Sequence, residues 1–358
     1  MDQEIIFNAA KAFRVDGELY KVEENTTGHI NRTFFCYWNR HSNSDRITVL
    51  QSINTKVFPV PEIIDSNISL VNAHLKNSDF LARPSQKLLE FLPTFEGKTL
   101  FLENQAYWRM SKYIPNSLSL EKPRSSQEAE KIGALLGSFH LFTNDLDQSN
   151  LGIPIEDFQN VGNRILKFKQ ACQEDPLKRA EKIQPQIEKA MQQTDFVEKF
   201  LANFSQCPKR VTHADPKFNN FLIDEESAEP VAIIDIDTVM PGFAYYDLGD
   251  FIRGISLKDA EDAQFDKDRG ANLEYALTAF KGYLFTARSV LSDLEIESLV
   301  DSGRLISVSL GLRFLTDFVL GDPYFRITRE EQNLDRALTQ LALAGDFELH
   351  REKFLEMI

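Results

Sequence analysis

One stretch, Val211 to Arg253, constrains this chain more than any other: VTHADPKFNNFLIDEESAEPVAIIDIDTVMPGFAYYDLGDFIR. It sets His213, Asp215 and Asn220 in the array H-x-D-x-x-x-x-N, and the apolar run VAII that follows ends in Asp235 and Asp237. NNFLID and VAIIDID are short β-rich runs joined by the polar turn EESAEP. The pattern predicts a hairpin with the Asp/Asn loop at one end and Asp235 emerging beside it. Phosphoryl transfer needs a base that accepts a hydroxyl proton, and oxygen ligands that hold Mg²⁺ on nucleotide phosphates. A loop with Asp and Asn five apart, followed by a strand ending in Asp, supplies both. Asp215 is therefore read as the base, with Asn220 and Asp235 as metal ligands. An Asx turn ahead of Pro216 and a strand-start cap are the ordinary alternatives for the first two; the three-residue combination outweighs them. His213 reads as a structural residue that fixes the loop, and Asp247 and Asp250 in YYDLGDFIR as groups that buttress the loop or cap a helix. Asp237 is left open between metal ligation through water, substrate contact and a loop cap.

The bulk properties narrow the partners. The chain has 358 residues, 42% hydrophobic and 26% charged, enough for a large core and two lobes. Its 40 basic against 54 acidic residues give a net charge of −14, which argues against nucleic acid or an anionic membrane as a partner. An anionic nucleotide would have to be captured by local features and metal. Cys36, Cys172 and Cys207 are far apart and odd in number, with neither a disulfide framework nor a zinc spacing. MDQEIIFNAAKAF lacks the features of a signal peptide, and no apolar run reaches the roughly 18 residues of a membrane span. A monomeric cytoplasmic protein is the expectation.

Along the chain, residues 1–15 read as a short amphipathic helix. RTFFCYW (32–38) and RITVLQSI (46–53), separated by a polar turn, predict a hairpin. Residues 61–77 have helical spacing at Ile64, Ile68, Val71 and Leu75. Residues 87–103 read as strand, turn, strand, and AYWRMSKYIP (106–115) as a strand running into a connector. Beyond it the pattern is helical: 125–142, opened by a capping box of Ser125 with Glu128, then 156–173, 177–204, 259–288, 293–320 and 328–357. The organisation is α+β: a β-rich N-terminal lobe over 1–108, a connector at 109–115, and a helical lobe over 116–358 that carries the motif. NTTGHINRTFF (25–35) contributes Gly28 in a loop ahead of the first hairpin, a weak signal that its place in the order strengthens.

This order of elements resembles the aminoglycoside phosphotransferase and choline kinase-like branch of the protein-kinase fold. More narrowly, GHINRTFF, LQSINTKVFP, YWRMSKYI, VTHADPKFNNFLID, IIDIDTVMPGFAYYDLGDFIR and LRFLTDFVLGDPYF resemble the N-acetylhexosamine 1-kinases, across nearly the whole chain. The resemblance implies transfer of phosphate from ATP, with Mg²⁺, to the anomeric hydroxyl of GlcNAc or GalNAc. It implies that Arg313 and Tyr324 contact the sugar, helped by His29 and Asn31. It also implies that Gly28 covers the phosphates and that the connector around Arg109, Lys112 and Tyr113 meets adenine through backbone groups. Two positions depart from the common pattern. Gln51 stands on the third strand where many kinases of this fold carry Lys or Arg, and HADP replaces the more usual HNDT.

Three other readings compete. A kinase of the same fold could take choline, homoserine, methylthioribose or an aminoglycoside; a cationic amine would need acidic groups around it, whereas Arg313 with Tyr324 suits a neutral sugar. A nucleotide-binding pseudokinase has no need to keep Asp215, Asn220 and Asp235 together. A metal hydrolase would want a cluster that six scattered histidines do not offer.

Overall fold

The computed structural model describes residues 3–26, 30–39, 46–82, 86–268 and 270–358. The chain forms two compact units, and neither is continuous in sequence. The first comprises Met1–Leu118, Asp147–Glu156 and Leu222–Met240; the second Ser119–Leu146, Asp157–Phe221 and Pro241–Ile358.

The first unit is built on an antiparallel sheet. Its strands are β1 (Glu18–Asn25), β2 (Arg32–Asn39), β3 (Arg46–Ile53), β4 (Phe91–Leu92), β5 (Phe101–Glu103) and β6 (Ala106–Lys112), in the order β1-β2-β3-β6-β4 with β5 also on β6. Alternation in β2 buries Phe34, Cys36 and Trp38 and turns the intervening residues outward, the period-2 pattern of a half-covered sheet. These side chains join Leu50, Trp108 and Met110 under α1 (Gln3–Lys11), whose Ala9 and Ala10 are fully buried. Burial pushes the Cys36 thiol up to about 12, so it stays a protonated, inert core residue. α2 (Pro61–Lys76) packs in the same unit through Asn67, which accepts the Gly152 N–H and donates to the carbonyls of Gly152 and Val239. A second sheet, β10-β9-β7, joins β7 (Ser117–Ser119) to the hairpin β9 (Phe221–Asp224) and β10 (Pro230–Ile233). That hairpin is the one expected from NNFLID and VAIIDID.

The second unit is helical: α3 (Ser126–Phe142), α4 (Val161–Glu174), α5 (Arg179–Lys182), α6 (Gln184–Asn203), α7 (Ala244–Ser256), α8 (Leu273–Ala287), α9 (Asp293–Val300), α10 (Ser302–Leu320), α11 (Gln332–Leu349) and α12 (Arg351–Leu355), with the short strand β8 (Arg210–Thr212). The α+β architecture read from the sequence, a β-rich N-terminal part and a mainly helical C-terminal part, is the one present. α3 and α8 lie backbone to backbone. A Cβ on Gly282 would collide with the Glu130 carbonyl, and one on Gly137 with the Tyr283 carbonyl and the Thr286 hydroxyl.

The strand, turn, strand read over 87–103 is present as β4 and β5, each a short strand on β6. Three local expectations need correction. The first helix stops at Lys11. The described residues of 259–272 form turns and irregular coil, and α8 begins only at Leu273. At α3 the Ser125 side chain accepts the Glu128 N–H, but the Glu128 carboxylate passes its expected partner and takes the Arg124 N–H and guanidinium instead. The reciprocal capping box is at α9, between Ser292 and Glu295.

Candidate active site

In the second unit, β8 ends at Thr212 and the chain turns sharply. Ala214 has φ +70°, a left-handed conformation that costs a non-glycine residue roughly 1–3 kcal/mol and persists only where surroundings impose it. The imposing group is Asp247 on α7. Its Oδ2 accepts the His213 N–H at 2.6 Å and its Oδ1 the Ala214 N–H at 2.8 Å. His213 is fully buried, stacks on Phe221, and its Nδ1 accepts the Asp215 N–H at 3.3 Å. The loop then runs through a 3₁₀ turn, Phe218–Asn220.

Asp215 is partly exposed, and its carboxylate sits 3.1 Å from the Lys217 ammonium. The Asp215 charge raises Lys217 above its ordinary pKa, and Asp250 adds to the effect. Asp250 itself holds the buried Arg253 at 2.8 and 3.0 Å. The Asn220 Nδ2 donates to the Asp215 carbonyl at 2.9 Å. That bond fixes the amide so that its oxygen remains for a hard cation.

Further along the unit, α10 carries Arg313, whose guanidinium lies 5.9 Å over the Tyr324 ring and 5.3 Å over Phe325. Arg313 has no carboxylate partner among the described residues. Tyr324 is 73% exposed, but its backbone is anchored. Asp317 accepts the Tyr324 and Phe325 N–H groups at 2.9 Å each, and Asn333 ties Asp317 to Asp322. The result is a fixed aromatic shelf beside an unpaired cation.

In the first unit, Asp235 follows β10 in a left-handed conformation, φ 54° and ψ 47°, and opens the 3₁₀ turn Ile236–Thr238. Aspartate tolerates this better than most residues. Asp237 is buried with Arg109: their side chains are 3% and 4% exposed and 2.5 Å apart. The register of β3 on β6 sets Gln51 opposite Arg109, and the Gln51 carbonyl oxygen accepts from Arg109 at 2.8 and 3.0 Å. Asp237 also accepts from the Asn31 Nδ2 at 2.7 Å, while the Asn31 oxygen takes the Asn54 N–H. Gln51, Arg109, Asp237 and Asn31 thus form one polar chain, buried except at Gln51, which gives Asp237 a partner rather than a simple capping role. Asn31 keeps a single N–H for any ligand. Lys112 spends its ammonium on Glu90 at 2.7 Å, and Tyr113 lies edge-on against Phe35. Gly28 and His29 lie outside the described residues.

Sequence reasoning passed over Lys217, although its place two residues after Asp215 in a loop was visible. It also passed over the pairing of Arg109 with Asp237, 128 positions apart in sequence, which only the folded chain brings together.

A strained turn that presents a carboxylate beside a lysine, with an amide oriented to offer oxygen, gathers groups of the kinds phosphoryl transfer uses. The chain belongs to the phosphotransferase enzyme family (APH), whose family model matches residues 73–283, more than half of its length. Solved structures share the fold at low identity. An aminoglycoside phosphotransferase from Alicyclobacillus acidocaldarius aligns with a TM-score of 0.67 at 10% identity, covering 99% of this chain and 96% of the other. A microcompartment-associated aminopropanol kinase aligns at 0.64 and 13%, covering all of both chains. A spectinomycin phosphotransferase, solved with ADP and spectinomycin, aligns at 0.63 and 12%, covering 97% of this chain and 99% of that one.

Proposed function

We propose that this phosphotransferase is an ATP- and Mg²⁺-dependent kinase that phosphorylates the anomeric hydroxyl of an N-acetylhexosamine, GlcNAc or GalNAc. The observation that carries the kinase reading is the Asp215 loop: a carboxylate beside Lys217, followed by an Asn220 amide whose oxygen is left for a cation. Asp215 accepts the proton of the C1 hydroxyl as that oxygen attacks the γ-phosphorus of ATP and the bond from phosphorus to the bridging oxygen breaks, releasing ADP; Lys217 steadies the carboxylate and adds positive charge. Asn220 and Asp235 are the proposed oxygen ligands of Mg²⁺. Among the described residues no cluster of three or more His, Cys, Asp or Glu is gathered as a metal cage, which fits a cation whose remaining ligands are nucleotide phosphate and water. When bound, Mg²⁺ neutralises charge that develops on the phosphoryl group.

The sugar assignment rests on the segment resemblance together with Arg313, which has aromatic neighbours and no carboxylate partner. A cationic amine acceptor, as for choline or an aminoglycoside, would be repelled by that guanidinium. Residues 1–108 are read as the nucleotide lobe, 109–115 as its connector and 116–358 as the lobe of substrate and base. The enzyme is read as a cytoplasmic monomer with Asn31 at the sugar.

The test is Mg²⁺-dependent ADP release across GlcNAc, GalNAc, glucose, galactose, choline, homoserine, methylthioribose and kanamycin. Turnover confined to the N-acetyl sugars, and abolished by their methyl glycosides, is the expected result. Turnover with an amine would keep Asp215 and discard the sugar roles of Arg313 and Tyr324.

A further inference from the structure

The buttress of the catalytic loop does not end at Asp247. On α3, His140 is 1% exposed, and its Nε2 lies 3.0 Å from the Asp247 Oδ2 that also accepts the His213 N–H. Its Nδ1 lies 2.6 Å from the hydroxyl of Tyr283 on α8, itself fully buried. The protons on this chain can be placed by chemistry. Burial, and then the nearby Asp247 charge, push the Tyr283 phenol well above its usual pKa, so it remains O–H. Were Nδ1 to carry the imidazole proton, a lone pair on Nε2 would face a carboxylate oxygen, an arrangement with no hydrogen bond. In the neutral imidazole Tyr283 therefore donates to Nδ1, and Nε2–H donates to Asp247. The Asp247 carboxylate has no exposure and receives three donors: His140, and the backbone of His213 and Ala214.

We propose that His140 and Tyr283 are positioning residues for Asp215: Tyr283 fixes the tautomer of His140, His140 fixes the Asp247 carboxylate, and Asp247 holds the strained Ala214 turn that aims the base. Neither residue touches substrate. This deepens the reading of Asp215 as the base and rests on it. The close approach of α3 and α8 at Gly137 and Gly282 supports the assignment, because it brings the Tyr283 hydroxyl within reach of the imidazole.

The experiment compares the full-length enzyme with His140→Leu, His140→Gln and Tyr283→Phe. Gln retains a side-chain N–H near the position of Nε2; Leu does not. The expected result is a kcat at least about tenfold lower in His140→Leu, since misplacing a reacting group by an ångström can cost about a hundredfold. KM for ATP should stay within about threefold, with His140→Gln recovering most of the lost rate. Tyr283→Phe should fall between them. A second readout does not depend on activity: hydrogen exchange of the peptide spanning residues 211–216 should quicken in His140→Leu relative to peptides of α10. Asp215→Ala is the control that separates the two readings, as it should abolish turnover while leaving exchange of that peptide slow. If His140→Leu does not fold, Tyr283→Phe carries the same two measurements. Unchanged exchange of residues 211–216 in the folded variants overturns the proposal even if Asp215 proves to be the base. Quickened exchange with turnover insensitive to Asp215→Ala keeps the clamp and removes the catalytic reading beneath it. Equal losses in the Leu and Gln variants overturn the role of the Nε2–H.

Discussion

At the scale of single residues, this chain brings its polar groups into pairs that restrict what each can do. Asp215 leans on Lys217, Asn220 spends its amide hydrogen on the Asp215 carbonyl, and Asn31 keeps one donor. The proposed base therefore has a distinct signature. Asp215→Ala should lower kcat by about 10²–10⁴, the usual contribution of general base catalysis, with nucleotide affinity by calorimetry nearly unchanged. A variant that turns over normally would remove Asp215 from its role. Asn220→Asp tests the cation reading differently, since it preserves an oxygen but loses the N–H that orients it. It should retain measurable activity at raised Mg²⁺, whereas Asn220→Ala should not be rescued. Asp215, Asn220 and Asp235 were legible as candidates because a fixed spacing and a following apolar strand mark them together. Lys217 was not, because one lysine among many carries no signal until its distance to a carboxylate is known. Gln51 looked like a missing lysine. In the fold its carbonyl oxygen accepts from Arg109 on the opposite strand.

At the scale of elements, helix positions depend on close packing and on a few buried ion pairs. Gly282→Ala would force α8 away from the Glu130 carbonyl on α3. An overpacked contact of this kind costs about 1–3 kcal/mol, so the denaturation midpoint should fall; an unchanged midpoint would mean that the helices part freely. Arg210 on β8 and Glu295 on α9 form a second fixed point, with side chains 10% and 2% exposed and 2.5 Å apart. Burial alone would raise the Glu295 pKa, but hydrogen bonds from Arg210 and Ser292 outweigh it and leave it lowered. The sign follows. A carboxylate bound more tightly as an anion in the folded state adds stability above the pKa of the unfolded chain, and that stability is lost as pH falls through the lower folded value. Stability of the wild type should therefore decline below the ordinary glutamate range. In Glu295→Gln the decline should be shallower and start from a lower plateau, because Arg210 is left buried and unpaired. Equal slopes of stability against pH in the two proteins would show that Glu295 does not contribute. Helix α3 and the β9–β10 hairpin were legible from spacing, capping and turn residues. The pairing of β4 and β5 was not, because strands of two and three residues take their partners from what β6 exposes rather than from their own pattern.

At the scale of the molecule, the sequence suggests two successive lobes, whereas the chain weaves. It enters the first unit, leaves at Ser119, returns for Asp147–Glu156 and again for Leu222–Met240. No composition shift marks these returns, since each is short. The second return has an energetic consequence. It delivers Asp237 to Arg109, which with Gln51 and Asn31 makes a polar chain inside the unit. It also delivers β9 and β10 to β7. A fragment ending at Leu118 would keep every strand of the large sheet and still leave the Arg109 guanidinium buried without its carboxylate. Removing one partner of a buried pair costs about 3–5 kcal/mol, a large share of the roughly 5–15 kcal/mol that stabilises a domain. The expectation is that residues 1–118 alone give no cooperative thermal transition and poorly dispersed amide resonances. Within the same fragment, Arg109→Met, which removes the orphaned charge while keeping apolar bulk, should recover part of the lost order. A wild-type fragment that melts as cooperatively as its Arg109→Met variant would mean that the sheet stands without Asp237, and that the second return of the chain serves the site alone.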